Sequence, residues 1–339
     1  MRPVTLSDVA RAAGVSQSTA SRALNGSARR VDEELKRRVL DAADRLHYAA
    51  NTQAQAVARG TTRTIALLVS DIADSYFSSM AAAVMAAAEE FDLRVTVVVT
   101  ERRVDREIEV VRELRGQQAM AVVLAGSGYR LSTLAPALNH ELEMFEATGG
   151  RVVLVSRSDL PFETVDLDNF GGARRLGAAI GRLGYRSFLV LGGQPELVAT
   201  EDRVAGFRQG LREHGIELPE DRIVFSSFSW DGAFAAVQQL DDDVLSSTRM
   251  LFAVNDEMAL GAISALRGRG LRIPEDIAVA GFDDIRTLRD IVPGLTTVRV
   301  PLDEVGREVI SRITSGTPGA QRRILPATVV LRGSTPRVN

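Results

Sequence analysis

The residues best placed to do chemistry lie near the start of the chain. Gln17 and Ser18, with Arg22 about one helical turn on, form a polar run suited to hydrogen bonding with base edges in a DNA groove. A Gln amide can hold adenine through two hydrogen bonds, and an Arg guanidinium can hold guanine or a phosphate. Around them Thr5, Ser7, Ser16, Thr19, Ser21 and Asn25 supply short donors suited to phosphate oxygens. Groups suited to catalysis are sparse. The three His are His47, near that polar run, and His140 and His214, in helix-end or loop contexts; all read as surface residues rather than general bases. The chain has no Gly-Lys-Ser/Thr phosphate loop and no Gly-x-Ser-x-Gly nucleophile elbow. Gly126-Ser127-Gly128 is too short for a phosphate loop and suits the edge of a ligand cleft. The acid runs Asp241-Asp242-Asp243 and Asp283-Asp284 could serve carboxylate chemistry or a cation, although the first suits a solvated turn. Cys is absent, which excludes disulfides and Cys-based metal sites. No catalytic residue, metal ligand or cofactor is expected, so the chain reads as a binding protein and not an enzyme.

Charge separates the chain into two parts. Residues 1–60 carry ten Arg/Lys against six Asp/Glu, a formal +4, while the remainder carries 31 against 38, a formal -7. A basic head on an acidic body suits a head that meets a polyanion. The 339 residues suffice for two or three domains, and the composition is that of an ordinary globular protein. No apolar leader opens the sequence, and no run of about 18 apolar residues occurs. Together with the missing Cys this leads us to expect a cytoplasmic protein with no membrane partner.

The elements that must position these side chains can be read from periodicity. Leu6, Val9, Ala10 and Ala13 repeat at helical spacing, and Gly14 stops that helix. Ser16 caps a second helix from Gln17 to about Leu24, and a third starts near Asp32. This is the arrangement of a helix-turn-helix, whose second helix enters the major groove. Residues 49–60 form a joint too short and polar to be a stable helix alone. From Thr64 the pattern changes to short apolar strands alternating with helices: Ile65–Val69, Arg94–Thr100, Ala121–Ala125, Val152–Val155, Ser187–Leu191, Ile223–Phe225, Met250–Val254 and Ile277–Ala280. Helices are expected at Ser79–Phe91 and Arg103–Arg115. Such alternation predicts parallel sheets wrapped by helices, with too many strands for one sheet. Two lobes follow, with a ligand cleft at the carboxyl ends of their strands.

Specific words in the sequence point further. Val4-Thr5-Leu6-Ser7-Asp8-Val9-Ala10, Ala13-Gly14-Val15-Ser16 and Thr19-Ala20-Ser21-Arg22-Ala23-Leu24-Asn25 resemble the head of the lactose-repressor (LacI/GalR) family. The resemblance continues through Val39–Ala43, Leu46-His47-Tyr48 and Asn51, and into the body at Asn255–Gly261, Gly281–Ile285, Leu295–Val298 and a closing strand at Leu325–Val330. It covers essentially the whole chain. It implies an all-α helix-turn-helix head over 1–48, a hinge over 49–60, and an α/β body of two parallel-sheet lobes like a periplasmic binding protein. The first lobe would hold about 61–166 plus 297–324, and the second about 167–296 plus 325–339.

The resemblance also implies function: a transcriptional regulator, expected to be a repressor, binding a near-palindromic double-stranded operator as a homodimer. A small effector, expected to be a sugar or sugar derivative, would shift the population between two lobe arrangements; a nucleoside stays open. A sugar- or nucleoside-binding protein without a DNA role is the alternative. The chain ends without heptads, so a dimer rather than a tetramer is expected. Asn51 and Gln55 join the DNA-binding set. Val57 stands where the family inserts a hinge leucine into the minor groove, so a shallower wedge is expected. Tyr76, Phe77 and Trp230 match aromatic walls of the family's pocket, Arg203 its cleft arginine, and Asn255 and Asp283 its polar contacts. Arg157 sits beside the cleft, as ligand contact or lobe tie, and Ser127 edges it. Asp256 is expected to cap the following helix. Ser156 replaces a common Asp of the family, and Ala125 an Asn found in some sugar-binding members.

Overall fold

The computed structural model describes residues 4–25, 31–48, 62–126, 128–129, 132–157, 160–315 and 321–338. Asn51, Gln55 and Val57 of the expected hinge lie outside the described residues, as do Ser127 and the side chain of Asn25. The chain divides into two compact units, 1–62 and 63–339.

The first unit holds three helices, α1 (Leu6–Ala13), α2 (Gln17–Asn25) and α3 (Glu33–Arg45). Val9, Ala10, Ala13, Ala20, Ala23, Val39, Ala42 and Ala43 form its core. Small side chains there let short helices pack closely, because few atoms separate their backbones. Each helix has a local reason to start. Thr5 and Asp8 cap α1 reciprocally, Ser16 Oγ accepts from Thr19 N at 3.1 Å, and Asp32 Oδ1 accepts from Glu34 N at 3.0 Å. Gly14 ends α1 with φ +65°, where a side chain would be strained and would also meet Arg38.

The second unit is built on parallel sheets. β1 (Thr64–Val69), β2 (Arg94–Val99), β3 (Ala121–Ala125), β4 (Arg151–Val155), β5 (Glu163–Leu167) and β11 (Arg322–Leu325) form a six-stranded sheet in the order β11-β5-β4-β3-β1-β2. β6 (Phe188–Gly192), β7 (Ile223–Phe225), β8 (Met250–Ala253) and β9 (Ala278–Ala280) form a second, ordered β7-β6-β8-β9. β10 (Thr297–Arg299) and β12 (Thr328–Val330) make a short antiparallel ribbon. Alternate residues of β1 bury on opposite faces. Ile65, Leu67 and Val69 meet one helical layer; Ala66 and Leu68 meet the layer of Val111, Leu138 and Phe145. Burial on both faces is why these strands read as continuous apolar runs. In each sheet the strand order reverses beside the first strand, at β1/β3 and β6/β8, which opens a crevice at the carboxyl ends.

Three sequence expectations need correction. The helix after β1 spans Ser75–Glu89, four residues earlier than its apolar pattern suggested, because Asp74 caps it by accepting from Tyr76 N at 2.9 Å. The closing strand at Leu325–Val330 is two strands, β11 in the large sheet and β12 in the ribbon; Pro326 between them cannot donate to a ladder. β5 was missed because it carries Glu163 and Asp166. These charges are matched by Arg312 and Arg322, far away in sequence. Among the described residues no helix is long and apolar enough to cross a membrane.

Candidate functional sites: a nucleic-acid-reading helix and a ligand cleft

In the head, α2 shows two faces. Ala20 and Ala23 are buried against α1 and α3, while Gln17, Ser18 and Arg22 are exposed. The three candidate base readers therefore share the side away from the core. The surrounding hydroxyls are partly used within the fold. Ser16 Oγ lies 2.9 Å from Ser18 Oγ and 2.8 Å from Thr19 Oγ1. Thr5 Oγ1 donates to Asp8 Oδ2 at 2.6 Å, so its proton serves the helix cap first. Ser7 is exposed and Ser21 half-buried.

In the body, residues just past the strand ends line a small cavity of about 40 Å³. From the large sheet come Ser70 after β1, Arg102 after β2, Gly126 after β3 and Ser156 after β4, with Asp74, Tyr76 and Phe77 at the start of the Ser75–Glu89 helix. From the smaller sheet's lobe come Leu197, Ala199, Arg203, Phe228, Asn255 and Asp283, with Asn169. Tyr76 and Phe77 meet edge-on at 5.1 Å, both buried. Gly126, with φ +122°, lets its backbone pass Ser70 and Phe77; an added Cβ would sit 3.2 Å from Ser70 Oγ.

Arg203 is the centre of the second wall. It is 4% exposed, and its guanidinium lies 3.9 Å from the centroid of the Phe282 ring. Nε donates to Asn169 Oδ1 at 2.9 Å, Nη1 to the Val254 carbonyl at 2.7 Å, and Nη2 to Asp283 Oδ1 at 2.9 Å. A guanidinium has five N–H groups, so these three bonds fix the fork and leave donors over for a ligand. Burial pushes the Asp283 carboxyl up to about 7, against the pull of Arg203. The Asp283 backbone has φ +117°, an unusual conformation for a residue with a side chain, held by its N–H bond to the Val298 carbonyl at 2.8 Å. Burial likewise raises the Asp74 carboxyl to about 6 and the Tyr76 phenol well above its ordinary value.

The expected ligand residues are thus distributed unevenly. Tyr76, Phe77, Arg203, Asn255 and Asp283 converge on the cavity. Arg157 is not among the residues that line it. It is buried, with Nη1 2.8 Å from Glu107 Oε2 on the same lobe. Trp230 also stays off the cavity wall. It opens the helix Trp230–Gln238 and stacks on Phe234 at 5.1 Å, while Phe228 two residues earlier faces the cavity. The cap after β8 is Asn255 rather than Asp256: Asn255 Oδ1 accepts from Met258 N at 2.8 Å. Asp256 is fully buried, taking Ile285 N at 3.0 Å and Thr297 Oγ1 at 2.7 Å, and burial raises its pKa. Of the acid runs, Asp284 is held by Arg299 and Arg332, and Asp242 by Arg269. Asp74, Arg102, Asn169 and Phe228 were not singled out from sequence. Their common signal is position, within a few residues of a strand's carboxyl end.

Comparison with known proteins gives these two sites a context. The model of bacterial regulatory proteins of the lacI family matches residues 5–51, and that of a periplasmic binding protein-like domain matches 179–335. The HTH-type transcriptional regulator CelR of Thermobifida fusca is 30% identical over 98% of each chain. A solved CelR–cellobiose complex matches with a TM-score of 0.70, at 29% identity over 98% of this chain and 100% of the other. The lac repressor dimer bound to operator and the anti-inducer ONPF matches with a TM-score of 0.82, at 26% identity over 99% of this chain and 100% of that one. An exposed polar face on α2, a cleft at the strand ends of two parallel sheets, and a likeness that runs the length of the chain lead to one conclusion: this protein belongs to the lacI family of bacterial DNA-binding transcriptional regulators.

Proposed function

We propose that the chain is a cytoplasmic transcriptional repressor, not an enzyme, that binds a near-palindromic operator as a homodimer and is controlled by a sugar or sugar derivative. Residues 1–48 read DNA, 49–60 form the hinge, and the body senses. Its lobes are about 61–166 plus 297–324, and 167–296 plus 325–339. The observation that carries the effector reading is the cleft's combination of groups. Aromatic faces at Tyr76, Phe77 and Phe228 suit the apolar face of a sugar ring. Arg203, Asp283 and Asn255 suit its hydroxyls, because their own partners hold them rigid. Repression is the activity in the name of the solved lac repressor, and cellobiose is the ligand in the CelR complex. In the head, Gln17, Ser18 and Arg22 read bases, while Thr5, Ser7, Ser16, Thr19, Ser21 and Asn25 contact phosphates, aided by Asn51 and Gln55.

Selection of bound duplexes from a random pool tests the head, and a thermal-shift screen over sugars, starting with cellobiose, tests the body. We expect a near-palindromic consensus and a stabilising sugar that changes affinity for that consensus. A steep salt dependence with no sequence preference would overturn the regulator reading. A sugar that stabilises the body but leaves DNA affinity unchanged would favour a binding protein without a DNA role.

A further inference from the structure

Contacts cross the cleft, and they put acids together. Among the described residues, several contacts join those that follow the large sheet's strands to those of the smaller sheet's lobe. Ser75 N donates to Glu257 Oε1 at 3.4 Å, Val198 N donates to the Gly128 carbonyl at 3.2 Å, and the Arg102 guanidinium lies 5.4 Å from the centroid of the Phe228 ring. The first is the unusual one. The helix Ser75–Glu89 is already capped by its own neighbour, since Asp74 Oδ1 accepts from Tyr76 N at 2.9 Å. Glu257, from the opposite wall, takes the adjacent N–H. Two carboxylates carried by different lobes therefore share one helix N-terminus.

We propose that Asp74 is a proton-linked gate of the effector cleft: closure takes up a proton on its carboxyl group, so mild acid closes the lobes and rising pH opens them. The inference rests on the reading of this cavity as the effector site. The charged groups facing Asp74 are Asp71 on the loop before it, Glu257 and Asp283 across the cleft, and Arg102 after β2. Asp71 and Glu257 stand against the one guanidinium of Arg102, while Asp283, raised to about 7, is paired with Arg203. A helix N-terminus favours one negative charge, and two charges there repel each other. The neutral acid relieves that repulsion. It also turns an acceptor into an O–H donor at the cavity wall, which suits an oxygen of a polyhydroxylated effector.

The direction follows from linkage. Burial and Glu257 hold the Asp74 carboxyl at about 6 in the closed cleft, against an ordinary 3.8. Opening takes the Glu257 charge away from this helix end and moves the carboxyl toward the ordinary value. The closed form binds the proton more tightly, so its advantage is complete below the ordinary value and is lost as pH rises through about 6.

The chain has no Cys, so two introduced thiols can report the distance between lobes. Glu113 and Gln209 are exposed on helices of opposite lobes, and Glu113→Cys with Gln209→Cys carry spin labels in the full-length protein, without effector or DNA. Labelled chains are diluted with unlabelled chain, and distances are read from pH 5 to 8. We expect a closed population in acid and an open one at pH 8. The closed-to-open ratio should rise on the order of ten-fold between pH 8 and pH 5, with its onset near 6. Asp74→Asn keeps a good helix cap but cannot ionise, and should stay closed at every pH. Glu257→Gln should move that onset to lower pH. A distance distribution that ignores pH in the wild type, or one that responds equally in Asp74→Asn, overturns the proposal. Neither result depends on which sugar binds or on operator recognition, so the functional reading is judged separately.

Discussion

Gln17 contributes almost nothing to the fold of the head, and that is what makes it informative. It is exposed in the first turn of α2, where a side chain is free to reach a base edge. Gln17→Ala should leave the melting temperature of the head unchanged. It should cost about 1–3 kcal/mol of affinity for the selected operator and relax preference at one base position. Competition binding against single-base operator variants checks this, and a uniform loss across all sequences would make Gln17 a phosphate contact instead. Arg203 is the opposite case. It is buried, and Asp283 depends on it for charge compensation. Arg203→Ala leaves a buried carboxylate unpaired and should lower stability by about 3–5 kcal/mol as well as abolish the effector response. Denaturant unfolding reads the first effect, and an effector thermal shift the second. Because burial already holds Asp283 at about 7 with Arg203 present, removing the guanidinium raises it further, so the variant's loss should be smaller at pH 6 than at pH 8.

At the scale of elements, the closest packing is between the helices Asn169–Arg182 and Val198–Arg212. Gly206 and Gly210 allow it, since a Cβ at either would collide with the carbonyl of Phe170 or Arg174. Backbone cannot move aside as a flexible side chain can. Gly210→Ala should therefore destabilise the body by roughly 1–3 kcal/mol, although alanine is the better helix former. A rise in the unfolding midpoint would show that these helices can separate without loss. Arg203 belongs to the second helix and Asn169 opens the first, so the same variant should also weaken effector binding. At β5, the ion pairs to Arg312 and Arg322 are what make a charged segment acceptable in the sheet. The sequence pattern alone cannot reveal that, because both partners lie more than 140 residues away.

For the molecule as a whole, the question is how two units that are compact separately act together. The joint falls in the segment with Val57 where the resemblance expected Leu. A shorter, branched wedge should bend the operator less, so Val57→Leu should increase the bend and tighten binding in a gel-based bending assay. Equal bending by both proteins would remove any role for that difference. The separation of charge, +4 in residues 1–60 and -7 beyond, predicts steeply salt-dependent DNA binding, with an acidic body that stays off the duplex. A light-scattering mass of two chains is expected.

What the sequence determined by itself is whatever rests on local pattern. Helix periodicity, the stop at Gly14 and the polar run from Gln17 sufficed for the head, because capping and amphipathicity act over a few residues. Apolar runs sufficed for eight of the ten strands in the two parallel sheets, because buried strands are largely apolar; the charged β5 and β11 escaped that pattern. The tertiary structure decided everything that depends on distant partners. It set Arg157 against Glu107, turned Trp230 onto Phe234, gave Asn255 the helix cap and buried Asp256 under Thr297. It also brought Asp74 and Glu257, which lie far apart along the chain, onto one helix end. Side-chain direction, desolvation and charge crowding depend on what the folded chain places nearby, and no local spacing encodes that.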